Sequence, residues 1–201
     1  MAAKTGERRT QILHVLARML EQPRPEKITT ASLAAQLDVS EAALYRHFAS
    51  KAQMFEGLIE FIEQTLFGLL NRVAADEPSG QRQIEAMLPL LLGFAKKNPG
   101  MTRVLIGDAL VHENDRLQAR VTQLHDRLEA TLRQSLRIAA SAGELDPAWD
   151  VSASANLLLC YVIGRWHQFA KSGFQRDPLE AWPAQCRVLF PLQLPATPIE
   201  S

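Results

Sequence analysis

Tyr45, Arg46, His47 and Lys51 fall within seven residues, directly behind the small run Ser40, Glu41, Ala42 and Ala43. A phenol, a guanidinium, an imidazole and an ammonium group bunched this way are hydrogen-bond donors. They are not arranged as a nucleophile with its base. The acceptors that suit them are phosphate oxygens and base edges, with Arg46 able to serve either. Ser40 suits a helix cap, Glu41 the first turn, and Ala42 and Ala43 let a helix backbone sit deep in a groove. Upstream, Thr29 or Thr30 caps another helix and leaves its amide end free to meet a phosphate.

Such donors need a scaffold that holds them outward. Ile28 to Lys51, ITTASLAAQLDVSEAALYRHFASK, reads as a short helix, a tight turn and a second short helix. That layout is a helix-turn-helix, whose second helix enters the DNA major groove. Ala31, Leu33, Ala34 and Leu37 face inward, and the two alanines let the helices approach closely. Asp38 sits where the turn asks for a left-handed backbone. Val39, Leu44 and Phe48 are spaced to bury. The charge is placed to match. The whole chain has no net charge, yet residues 1–51 carry eight Lys or Arg against five Asp or Glu.

The remainder is helical by periodicity, and no segment alternates as a strand does. Helices are expected at about residues 7–21, ended by Pro23 and Pro25, then at 51–74, 81–97 through Pro89, 101–111, 114–140 and 148–171, with a short one between 179 and 190. The predicted fold class is all-α: an N-terminal three-helix domain over 1–50, a helical core and dimerisation domain over 51–190, and a disordered tail over 191–201. No apolar run reaches the roughly 18 residues that span a bilayer, and the N-terminus has no signal-peptide core. The expected location is the cytoplasm. Cys160 and Cys186 read as buried, reduced thiols. His112, Glu113 and Asp115 lack a second histidine at ligand spacing, so no metal site is expected. His14, His125 and His167 read as surface or helix-edge residues. No phosphate loop, nucleophile elbow or paired-carboxylate motif occurs, so neither an enzyme nor a cofactor is expected.

Two further patterns stand outside the head. In the fourth helix Met54, Phe55, Leu58, Ile59, Ile62, Leu66, Leu69, Leu70 and Val73 form one stripe, with Phe61 on its margin. In the fifth, Leu90, Gly93 and Lys97 share a face away from Ile84, Met87, Leu88, Leu91 and Phe94. A glycine inside a helix costs about 1 kcal/mol relative to alanine and invites a reason, such as close approach of another chain. Farther on, Leu117, Val121, Leu124 and Leu128 repeat at four-three-four spacing. Leu158, Tyr161, Gly164 and Trp166 offer a second face. Together they predict a four-helix dimer interface, which would let two recognition helices read a pseudo-palindromic site.

Residues 8–51 resemble the DNA-binding domain of the TetR family, on LYRHF, two further residues and Lys51. The helical remainder matches that family's layout. SEAALYRHF (40–48), LIEFIE (58–63), LLLGF (90–94), NPG (98–100) and DRLQAR (115–120) are similar to the family's nucleoid occlusion factors. The resemblance implies a nucleoid-associated dimer that binds specific chromosomal DNA and the C-terminal tail of FtsZ, the tubulin-like division protein. It implies that Phe61, Leu90, Gly93, Lys97 and Asn98 line the groove for that tail. Leu69 stands where the enteric form has arginine, and Lys97 replaces another arginine, keeping charge but losing the planar fork. The alternative is a ligand-responsive repressor, with a cavity lined by residues such as Met87, Phe94, Met101, Trp149 and Trp166.

Overall fold

A computed structural model describes residues 2–22, 28–111 and 113–190. Every regular element among them is helical: α1 (Ala2–Met19), α2 (Thr30–Gln36), α3 (Glu41–Tyr45), α4 (Lys51–Asp76), α5 (Gly80–Lys97), α6 (Pro99–Leu105), a 3-10 turn at Asp108–Leu110, α7 (Asp115–Ser141), α8 (Val151–Lys171) and α9 (Trp182–Leu189). Pro23 and Pro25, His112 and the 191–201 tail lie outside the described residues. Side chains at Ser40, Ser50, Ser79, Asn114 and Asp150 accept backbone amides at the starts of α3, α4, α5, α7 and α8. Each satisfies donors that a helix start leaves open.

α5 runs unbroken through Pro89, whose ring removes a helical hydrogen bond at a cost of about 3 kcal/mol. Met87, Leu88, Leu91 and Leu92 are fully buried on either side of it. At roughly 1.5–3 kcal/mol for each buried side chain, packing wins over the local penalty. α7 lies at the centre, against both α5 and α8, and α4 packs on α5 and α7. Glu63 on α4 accepts from Arg120 at 2.8 Å and pairs with Arg127 at 3.5 Å, so two cations of α7 meet one buried carboxylate.

Two glycines are required by close approach. A Cβ on Gly80 would lie 2.2 Å from the Ser135 carbonyl, where α5 meets α7, and one on Gly100 would lie 1.8 Å from the Ala17 carbonyl, where α6 meets α1. Arg103 of α6 donates to the Gln22 carbonyl at 3.1 Å and pairs with Asp108 at 3.1 Å. The three-helix head is thus seated on α4 and α6.

The central position of α7 corrects the expected dimer stripe. Leu117, Val121, Leu124 and Leu128 are buried within the single chain, as are Leu158 and Trp166. The neighbours on either side of α7 already cover its apolar face. Tyr161 is half-buried and Gly164 alone of the eight is exposed. His125 is half-buried at the edge of this face, its ring 6.3 Å from that of Trp166. Cys160 is exposed and Cys186 half-buried, both as free thiols.

Candidate nucleic-acid interface

The head is built by short-range bonds. Thr29 caps α2 reciprocally: its hydroxyl accepts the Ser32 amide at 3.0 Å, and the Ser32 hydroxyl accepts the Thr29 amide at 3.0 Å. Asp38 takes the left-handed turn conformation, with φ of 53°. Ser40 accepts the Ala43 amide at 3.3 Å. Leu44 and Phe48 are buried, which leaves the opposite side of α3 outward. Ala42 is exposed and Ala43 half-buried. Tyr45 is 47 % exposed. Arg46 is exposed, and among the described residues neither side chain is engaged.

α3 is only five residues long, and Arg46 and His47 lie in the turn after it. His47 is half-buried, its Nδ1 buried without a hydrogen-bond partner. Nε2 is therefore the ring nitrogen left for an acceptor. Two expected DNA residues are engaged within the protein. The Thr30 hydroxyl donates to the Glu41 carboxylate, tying α2 to α3. Lys51 pairs with Glu113 before α7, with its ammonium 5.6 Å from the centre of the Phe55 ring. Lys51 in this state joins the first turn of α4 to the core and does not stand free for a phosphate. Sequence reasoning missed both acidic partners because neither is close in sequence.

The second set of residues divides between two surroundings. Phe61 is half-buried, edge-on to His14 of α1 with ring centres 5.3 Å apart. Leu90 and Gly93 are half-buried on α5, where a Cβ on Gly93 would lie 3.9 Å from Leu179 Cδ1. The segment carrying Leu179 is pinned from two sides. Lys96 pairs with Asp177 at 2.6 Å, and Arg165 donates to the carbonyls of Pro178 and Asp177 at 3.0 and 2.8 Å. The hydrogen bond from Lys96 holds the Asp177 carboxyl below the usual carboxylate range. Lys97 is exposed and unengaged among the described residues. The Asn98 side-chain amide donates to the Phe94 carbonyl at 2.8 Å.

The residues expected to line a ligand cavity are packed. Met87 and Trp166 are fully buried, with Phe94 and Met101 in the same core cluster. The Trp166 indole donates to the Leu91 carbonyl at 3.0 Å. Trp149 stacks on Phe190 with ring centres 6.2 Å apart.

A helix-turn-helix head seated on an all-helical core is the build of a DNA-binding regulator. The description "Bacterial regulatory proteins, tetR family" matches residues 12–58, and "Tetracyclin repressor-like, C-terminal domain" matches residues 80–194. A protein of Marinomonas sp. (strain MWYL1) named nucleoid occlusion factor SlmA is 50 % identical over 189 residues, covering 94 % of this chain and 96 % of that one. A SlmA from Alteromonas mediterranea is 50 % identical over 184 residues, covering 92 % and 94 %. The fold is also that of FadR from Bacillus subtilis, solved with stearoyl-CoA, at a TM-score of 0.74 and 12 % identity over 90 % of this chain and 96 % of that one. The chain belongs to the TetR family, among its nucleoid occlusion factors named SlmA.

Proposed function

We propose that this chain is a nucleoid occlusion factor. As a dimer it holds specific chromosomal sites through its two heads. While bound it engages the C-terminal tail of FtsZ, disrupts FtsZ polymers and blocks division over unsegregated DNA. The observation that carries this reading is the near full-length kinship with such factors, which runs through α4 and α5 as well as the head.

Geometry supports each part. On the head, Tyr45 and the Nε2 of His47 donate to phosphates, Arg46 reaches a base edge or a phosphate, and Ala42 and Ala43 admit the backbone of α3 to the groove. Residues 77–79 alone join α4 to α5, so Phe61 lies about as far from that turn as Ala95. Leu90, Gly93 and Lys97 then form an apolar, open and cationic strip at the level of Phe61. An extended peptide with an apolar anchor and an acidic residue suits such a strip. Gly80 and Gly100 have clear packing reasons, whereas Gly93 has none, which supports a role in docking. For the dimer, the exposed side of α8 offers Ala153, Leu157, Cys160, Gly164 and His167 at alternating four- and three-residue spacing. Leu157 is 56 % exposed, and nothing lies within 4 Å of a Cβ built on Gly164.

The test is FtsZ assembly in the presence of the protein and a duplex that it has selected from a random-sequence pool. Disassembly is expected with the wild type. Phe61→Ala retains DNA binding and loses the effect on polymers. Unaltered polymers with DNA-bound wild-type protein refute the reading. Loss of DNA binding in the variant instead makes Phe61 a brace for α1.

A further inference from the structure

α3 is too short to hold its own shape, because an isolated helix needs several turns to persist in water. Its first turn is fixed by the Ser40 cap and by the Thr30–Glu41 hydrogen bond. The other end comes just where Tyr45, Arg46 and His47 must be aimed. There the His47 amide donates to the Leu44 carbonyl at 2.8 Å, and the chain then turns into Phe48. The His47 carbonyl accepts from Arg9 Nη1 at 2.7 Å. The guanidinium carbon of Arg9 lies 4.2 Å from the centre of the Phe48 ring. One planar side chain of α1 thus grips both the carbonyl and the aromatic anchor that end the recognition segment.

We infer that Arg9 is a positioning residue for DNA recognition, acting through His47 and Phe48 rather than on a phosphate. The inference rests on the reading of α3 as the DNA-contacting helix. A cation at the carbonyl end of a helix is favourable in itself, and the planar fork can donate while it stacks. A lysine ammonium in the same place offers charge without the stacked plane. The opposing possibility is plain: Arg9 is exposed and contributes to the positive excess of the head, so it is chemically able to bind a phosphate directly.

Three substitutions in the full-length dimer separate these roles, measured on a protein-selected duplex and on an unrelated duplex across a range of salt. Arg9→Met is expected to weaken selected-site binding on the order of tenfold, the effect of losing one charge-assisted hydrogen bond, and to spare the unrelated duplex. Its log–log salt slope on the selected site stays that of the wild type. Arg9→Lys restores the charge without restoring the affinity. Hydrogen exchange accelerates over residues 44–48 in both variants and stays unchanged over 12–20, which separates local loosening from unfolding of the head. A slope shallower by about one unit in Arg9→Met, with affinity recovered by Arg9→Lys, makes Arg9 a phosphate ligand and overturns the inference. Unchanged affinity in Arg9→Met, or accelerated exchange throughout the head, overturns it as well. Tyr45→Phe on the selected duplex checks the underlying reading separately. If it binds as the wild type does, the DNA face is misassigned whatever Arg9 does.

Discussion

His125 of α7 sits between the core and water. It lies one position past Leu124 of the α7 stripe, which suggests a helix edge facing water. The ring is half-buried beside Trp166 of α8, and its Nε2 is buried without a partner. Burial lowers its pKa below the usual histidine value, against smaller raising effects from a backbone hydrogen bond with Leu105 and from the nearby Asp126. The unfolded chain therefore takes up a proton at a higher pH than the folded chain. Stability is fully present above the unfolded value, near 6.5, and is lost as pH falls from there through the folded value. The thermal midpoint should fall as pH is lowered from about 7.5 to 5.5. His125→Phe should flatten that decline while keeping a ring against Trp166. An equally steep decline in the variant would show that His125 takes up its proton as readily in the folded protein. The head was more legible. Asp38 and the caps at Thr29 and Ser40 follow from local backbone chemistry, which a sequence displays directly. The engagement of Lys51 and Thr30 was not legible there, because their partners, Glu113 and Glu41, are brought to them only by the fold.

Among elements, the helices were readable from periodicity, and the partners of their faces were not. An apolar stripe states that a surface is covered; it does not state whether the cover belongs to the same chain. The Leu117–Leu128 stripe was expected to meet a second copy, but α5 and α8 cover it first. The same limit applies to glycine. In the sequence Gly80 and Gly100 read as residues between helices and Gly93 as one inside a helix, yet packing shows that the first two are the ones that close contact requires. Gly100→Ala forces a methyl group into the Ala17 carbonyl, so α6 must shift from α1. It should destabilise the protein by at least about 1–3 kcal/mol, the range for an overpacked contact, and loosen the head. Gly93→Ala meets nothing closer than 3.9 Å, and a better helix former should raise stability by up to about 1 kcal/mol. If a peptide docks on this strip, the same methyl weakens its binding. Denaturation of both variants, with a titration of an FtsZ tail peptide into Gly93→Ala, checks the pair. A stabilised Gly93→Ala with undiminished peptide affinity would remove Gly93 from the groove.

At the scale of the molecule, the head and core are joined by contacts of different kinds. The backbones of α1 and α6 touch at Gly100, Arg103 reaches the Gln22 carbonyl, and Phe61 meets His14. A head held this firmly to its core transmits the spacing of the two cores to the two recognition helices. The dimer face proposed on α8 would then bear on DNA recognition from outside the head. On α8, Leu157 is the large apolar side chain of the exposed strip, beside Cys160 and near the open surface at Gly164. Leu157→Arg leaves the intrachain core intact, since the side chain faces away from it, and would bring like charges together if this strip is the isologous interface proposed above. Sedimentation should show monomers with unchanged helicity. Affinity for a selected palindromic duplex should fall roughly 10²-fold or more, because the second head no longer binds at the high effective concentration that linkage provides. Each separated head should still bind a half-site weakly, with a shallower salt slope than the dimer. A variant that remains a dimer and binds the full site normally would move the interface off this strip. A monomeric variant with undiminished affinity would instead uncouple DNA recognition from dimerisation.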